Sequence, residues 1–361
     1  MHPARHLTAC PKNPHGFMLL NGPQSRVLLE WANRSRFALL AVNADSPAAV
    51  GDCLEAARQL DAPIIIETSL WQLNGSSFGR DDPYLGLLRY ITDLAVLAES
   101  DRFRSVPVVF HTDHIKGPLT LPLLKAAIEG ITTPLGDQKI TAVASTLSLD
   151  SSELSADENI ESICSLCRFS ESLGQKATLE MEAGIDQGLT PVETADTLLG
   201  AVENRHPGHL ALWAPGVGTE HGLGRENRVD VKAIETHQQR ATSICQRPVG
   251  LALHGSSGLS AESLKAAVAA GTVKVNWSSE SLLVRSQAAR DYFMTNGDKL
   301  QKGHPEFKRF AMDHGLQEFV SRRYLPIVSD RIELLGASGK ASSFLAMGIS
   351  APSNESNVTQ T

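Results

Sequence analysis

The tetrapeptide HTDH occupies residues 111–114, directly after the apolar run VPVVF. Imidazoles and a carboxylate this close together suit either metal ligation or proton transfer, and His114 and Asp113 are the candidates for those two roles. Two further histidines stand among glycines, His221 in GTEHG and His254 in LHGSSG. Three imidazoles that leave a fourth position open make a site for one zinc ion per chain, or another divalent metal. Such an ion acts as a Lewis acid on a carbonyl or enediolate oxygen, with Asp113 exchanging protons beside it. The glycines of Gly255-Ser256-Ser257-Gly258 let backbone N–H groups approach an anion. VNWSSES places Asn276, Ser278 and Ser279 where a helix opens, and a helix N-terminus favours the same charge. A phosphate therefore has a seat beside the metal.

These residues can act together only if the chain gathers them. Eight short apolar runs are present: FALLAVN (37–43), APIIIETS (62–69), VPVVFH (106–111), ITAVAST (140–146), ATLEME (177–182), HLALWAPG (209–216), PVGLALH (248–254) and GTVKVN (271–276). Helical patterns separate them, as in SPAAVGDCLEAARQL (46–60), YLGLLRYITDLAVLAES (84–100) and LSAESLKAAVAA (259–270), where Ser260 is placed to cap. Strands alternating with helices imply parallel pairing, and eight such units predict an α/β fold, the (β/α)8 TIM barrel, over an open doubly wound sheet. Asn43, Glu67, Ser69, His111, Asp113, His114, Asp150, Glu182, His221, His254 and Asn276 all fall at or just past the C-terminal ends of these strands. In a barrel those ends share one face, so the set converges.

The 361 residues are 42% apolar and 20% charged, with net charge -7, enough apolar content for a large core and no basic excess to favour nucleic acid. No run is long and apolar enough for a membrane span, and the N-terminus lacks a secretory pattern, so the expected compartment is the cytoplasm. Five cysteines include one CxxC, Cys164 and Cys167, inside a helical pattern without a second pair, which reads as small residues on a helix. Residues 1–17 are expected to precede the barrel as an extension, residues 18–342 to form the barrel with its C-terminal helices, and residues 343–361 to form a flexible tail.

FALLAVN, APIIIETS, VPVVFHTDH, LEMEAG, GTEHG, LALHGSSG and VKVN follow one another in an order that resembles the class II, zinc-dependent ketose-bisphosphate aldolases. The resemblance implies a (β/α)8 barrel, a dimer or tetramer, and aldol cleavage through a zinc-stabilised enediolate with dihydroxyacetone phosphate or an analogue as donor. It implies that His114, His221 and His254 ligate the metal, that Glu182 and Asp150 belong to the metal site, and that Asp113 is the acid–base residue. It implies ketose-phosphate contacts from Asn43, Gly222, Gly255, Ser256, Ser257 and Asn276, and contacts to the far phosphate from Ser69 and, less closely matched, Arg309. Three departures stand out. The loop after LEMEAG is short and lacks the family's glutamate, leaving Asp186 as the nearest carboxylate. Ser278-Ser279 replaces Asp-Thr, and Arg225 replaces a lysine, keeping its charge. An altered chemistry on a sugar phosphate, or a barrel without turnover, are the competing expectations.

Overall fold

The computed structural model describes residues 18–135, 138–151, 153–184, 188–223 and 227–348; the expected extension 1–17 and the end of the expected tail lie outside them. The strands are β1 Leu39–Asn43, β2 Ile64–Thr68, β3 Val108–Thr112, β4 Ile131–Leu135, β5 Gln138–Ala142, β6 Thr146–Leu149, β7 Leu179–Ala183, β8 Leu210–Pro215, β9 Gly250–Leu253 and β10 Thr272–Trp277. The helices are α1 Gly22–Ser35, α2 Pro47–Gln59, α3 Leu70–Asn74, α4 Pro83–Ala98, α5 Thr120–Glu129, α6 Ala156–Ser172, α7 Glu193–Arg205, α8 Val231–Cys245, α9 Ala261–Ala270, α10 Ser279–Asn296, α11 Phe307–Ala311, α12 Asp313–Leu334 and α13 Lys340–Leu345.

Eight strands close a parallel barrel in the order β1-β10-β9-β8-β7-β6-β3-β2, the (β/α)8 architecture expected from the alternation of elements. Every residue of β1, β2 and β3 is buried, as strands covered by helices outside and side chains inside must be. α1 closes the N-terminal mouth, where Arg26 donates to the carbonyls of Ala177, His209 and Leu210 at the starts of β7 and β8. Ser260 caps α9 by accepting from the Ser263 N–H. Cys53, Cys164, Cys167 and Cys245 are all buried free thiols, so the CxxC is packing on α6.

The fourth strand corrects the sequence reading. Residues 140–142 of ITAVAST belong to β5, in an antiparallel pair with β4 outside the barrel, with Ile131 opposite Ala142 and Thr132 opposite Thr141. Thr132, Pro134, Lys139 and Thr141 are exposed while Ile131, Thr133, Ile140 and Ala142 between them are covered further, as suits a ribbon with one wet face. The barrel strand is TLSL, whose polar Thr146 and Ser148 are fully buried because they point at polar partners inside. The expected tail boundary is also displaced: α13 crosses it, and Phe344, 1% exposed, stacks on Trp31 with ring centroids 6.0 Å apart.

Candidate active site and metal centre

His114 leaves the end of β3 with φ of 50°, an uncommon conformation for a non-glycine residue, and this turns its imidazole back over the barrel mouth. There its Nε2 lies 3.2 Å from His221 Nε2 and 3.1 Å from His254 Nδ1. On His254 and His114 the other ring nitrogen is taken. His254 Nε2 is 2.7 Å from Glu180 Oε1, while His114 Nδ1 is 3.3 Å from Glu182 and 3.4 Å from Asp150. Each imidazole that gives its N–H to a carboxylate has a lone pair left on the opposite nitrogen. Those lone pairs face one another, so the arrangement requires a positive charge at their focus. Burial opposes charge on His114, yet Asp113 and Glu182 push its pKa well above the usual imidazole value. Burial, then the charge on His114, pushes His254 well below it. One proton on His114 satisfies the pair; a divalent metal bound by all three nitrogens satisfies the whole set, and the residues fit such an ion. Glu182 and Asp150 meet His114 on its Nδ1 side, as acceptors that orient the ring.

Asp113 sits beside this focus, 1% exposed, with Oδ2 accepting from Asn43 and Oδ1 from Asn276, both at 2.8 Å. Burial opposes its charge, but His114 and Lys274 hold its pKa well below the usual carboxylate range. Beneath it lies a charged floor, of which sequence reasoning named Glu67 and missed Lys274 and Glu180. Lys274 Nζ lies 3.1 Å from Glu180 and 3.2 Å from Glu67 and donates to Asn276 Oδ1 at 2.6 Å. Burial works against charge on Lys274, and the two glutamates more than offset it, raising its pKa. Glu67 is pushed up to about 8, by burial first and Asp113 second. Burial likewise raises Glu182 to about 7, and Ser148 donates to it. The missed signal was parity: Glu180 and Glu182, like Lys274 and Asn276, are two apart and so share the inward face.

On the β9–β10 side, Gly255 takes φ of 65°, and a Cβ there would meet the Glu220 carbonyl oxygen at 2.7 Å. Only glycine fits. The Asn227 side chain straps the turn by donating to the Ser257 carbonyl at 2.9 Å, and Thr219 donates to the His254 carbonyl at 2.8 Å. Ser278, at the N-cap of α10, makes no side-chain cap bond. A cavity of about 440 Å³ brings together Asn43, Ser69, Asp113, His114, His221, Gly222, Gly255, Ser256, Ser257, Asn276, Ser278 and Ser279. Arg309 is not among them. It is exposed on α11, 3.6 Å from Glu306, and borders a separate hollow with Tyr292 and Phe310. Asp186 and Arg225 lie outside the described residues.

The family profile described as fructose-bisphosphate aldolase class-II matches residues 24–340. The fructose-bisphosphate aldolase of Schizosaccharomyces pombe is 26% identical over 325 residues, covering 80% of this chain and 86% of its own. That of Candida albicans is 28% identical over 318 residues, with the same coverages of 80% and 86%. The structure of the Campylobacter jejuni fructose-bisphosphate aldolase superposes with a TM-score of 0.74 at 22% identity, covering 89% of this chain and 97% of that one. The YdjI aldolase of Escherichia coli K12 gives 0.63 at 20% identity, covering 88% and 98%. At these identities the structural likeness concerns the fold.

Proposed function

We propose that this chain, which belongs to the class II fructose-bisphosphate aldolase family, is a metal-dependent aldolase acting on a phosphorylated ketose, with dihydroxyacetone phosphate as the donor half. Relatives named fructose-bisphosphate aldolase, at 26% and 28% identity, support the reaction class. The observation that carries the reading is the three-nitrogen focus set beside an ionised, buried Asp113. A nitrogen-rich set of three histidines suits zinc. What a bound divalent ion supplies is Lewis acidity toward a carbonyl oxygen.

The chain's own residues account for the rest. The donor phosphate rests against the N–H groups of the 255–258 turn and the opening of α10. Gly222, Ser256, Ser257, Ser278 and Ser279 line that seat. In the cleavage direction Asp113 accepts the proton of the hydroxyl on the carbon that departs as aldehyde. The adjoining carbon–carbon bond breaks, and its electron pair stays on the donor fragment, which takes up a proton at that carbon. Asn43 and Asn276 fix both oxygens of Asp113, so the base is aimed before substrate arrives. For the second proton the candidates are Asp186 and Glu182, whose pKa of about 7 suits giving and taking protons near neutrality.

Purified protein incubated with ketose 1-phosphates should release dihydroxyacetone phosphate, read by coupled reduction with NADH. Chelation should stop the release and zinc restore it. Failure to release a triose phosphate from any of them, together with no deuterium uptake into dihydroxyacetone phosphate in heavy water, would sink the proposal.

A further inference from the structure

The β2 side of the cavity differs in chemistry from the β9–β10 side. α3 begins immediately after Ser69, and its Leu70, Trp71 and Asn74 form part of the cavity wall. Trp71 is 58% exposed, whereas Trp213 and Trp277 are fully buried. An indole offers a large flat apolar face at little conformational cost, and leaving it open to water is unfavourable unless something covers it. The backbone of α3 is packed from behind. Leu73 is buried, and α4 crosses so close that a Cβ on Gly86 would meet the Leu73 carbonyl oxygen at 2.1 Å. The short helix that carries Trp71 is therefore held in place.

The same wall is poorly equipped for a second phosphate. The Ser69 hydroxyl donates to Gln72 Oε1 at 3.2 Å, so its proton is already used. Lys116 is the one lysine or arginine lining the cavity among the described residues. Its Nζ lies 3.1 Å from Glu153 and 3.7 Å from Asp150, so two carboxylates already meet its charge. Asn43 lines the cavity, and its Oδ1 is buried without a hydrogen-bond partner. β2 and β9 stand three strands apart around the ring, which separates this wall from the anion seat.

We infer that Trp71 is the specificity-determining residue for the acceptor half of the substrate, which is an uncharged aldehyde carrying an aromatic or branched apolar group laid on the indole. The inference rests on the aldolase reading. In the condensation direction the donor carbon first gives up a proton, the reverse of the one it takes up in cleavage. The electron pair of that C–H bond then bonds to the aldehyde carbon, the carbonyl electron pair moves to its oxygen, and that oxygen takes the proton from Asp113. No further reactant is needed.

The test uses the metal-loaded enzyme with dihydroxyacetone phosphate and three acceptors: phenylacetaldehyde, glyceraldehyde and glyceraldehyde 3-phosphate. The wild-type kcat/KM should favour phenylacetaldehyde. Trp71→Ala should lower the ratio of phenylacetaldehyde to glyceraldehyde about tenfold or more, the scale of a lost apolar contact, and Trp71→Phe should keep most of it. A wild-type preference for glyceraldehyde 3-phosphate, or a ratio unmoved by Trp71→Ala, overturns the inference. If Trp71→Ala leaves the ratio but lowers the mass by light scattering, the indole covers a second copy and the inference is equally wrong. Deuterium uptake into dihydroxyacetone phosphate, measured alone, separates the two levels. Uptake without the expected acceptor pattern removes only the role of Trp71; no uptake removes the aldolase reading and this inference with it.

Discussion

Lys274→Met is the substitution whose cost the structure sets most directly. Lys274 is 0% exposed, and its ammonium stands between Glu67 and Glu180, at 3.2 and 3.1 Å, while donating to Asn276 at 2.6 Å. Methionine fills nearly the same length, so packing is conserved and the change isolates charge. Removing one partner of a buried ionic group leaves the other stranded, at a cost of about 3–5 kcal/mol. Glu67 can relieve part of this by keeping the proton that its pKa of about 8 already favours. The loss should therefore sit near the low end, about 3 kcal/mol, at pH 6 and approach about 5 kcal/mol at pH 9. Reversible urea unfolding at the two pH values measures it. Adding Glu67→Gln and Glu180→Gln to Lys274→Met removes the stranded charges and should recover half or more of the loss. A Lys274→Met protein within about 1 kcal/mol of wild type at pH 9 would refute the account of the floor as a charge-balanced unit.

His254→Ala removes one nitrogen of the focus, so it should lose both bound zinc by metal analysis and turnover; tight binding equal to wild type would remove His254 from the ligand set. Asp113→Asn should keep the metal and lose about 10²–10⁴-fold in kcat, because an amide cannot accept the proton and its NH2 faces an asparagine donor; near-normal turnover would take Asp113 out of the mechanism. Glu67 has a folded pKa of about 8 against an ordinary value near 4.5, so between these limits the folded state holds a proton that the unfolded chain has released. Stability must then fall as pH rises, by up to about 1.4 kcal/mol per pH unit. Glu67→Gln should flatten that slope in urea titrations from pH 5 to 8, and an unchanged slope would mean that Glu67 is ionised throughout.

Much of this site can be read from the sequence because polar residues that end apolar runs have few other reasons to be there. His111, Asp113, His114, Glu182, His254 and Asn276 are of this kind, and eight parallel strands bring such ends onto one face. The charged floor was harder to see. Glu180 and Lys274 lie within strands, where a charge ordinarily argues against burial, and only the identity of their partners makes burial tolerable. The fourth strand misled for the same reason: Thr146 and Ser148 look unsuited to a core until His111 and Glu182 are placed opposite them. Arg309 could not be placed by spacing at all, because the course of the helices after the barrel depends on packing that no local pattern records.

The register shows why the floor and the mouth belong to one device. Asn43 pairs laterally with Glu67, Glu67 with His111, and His111 with Thr146, so four consecutive strands contribute to one inward polar arc. Ser148 pairs with Glu180 and continues it. Hydrogen bonds tie the arc together from Asn43 to Glu67 and from His111 to Thr146, and Lys274 joins it to Asn276 and hence to Asp113. Asp113, Asp150, Glu180 and Glu182 set four carboxylates against His114 and His254, and among the described residues Lys274 is the single buried ammonium. Such an excess of negative charge in a low-dielectric interior is unfavourable without a cation. A divalent ion at the histidine focus would balance it, and the arc beneath would hold the three imidazoles in place before such an ion arrived. The polarity of the barrel interior and the three-histidine set are therefore two parts of one electrostatic arrangement, built from the same alternation of inward residues.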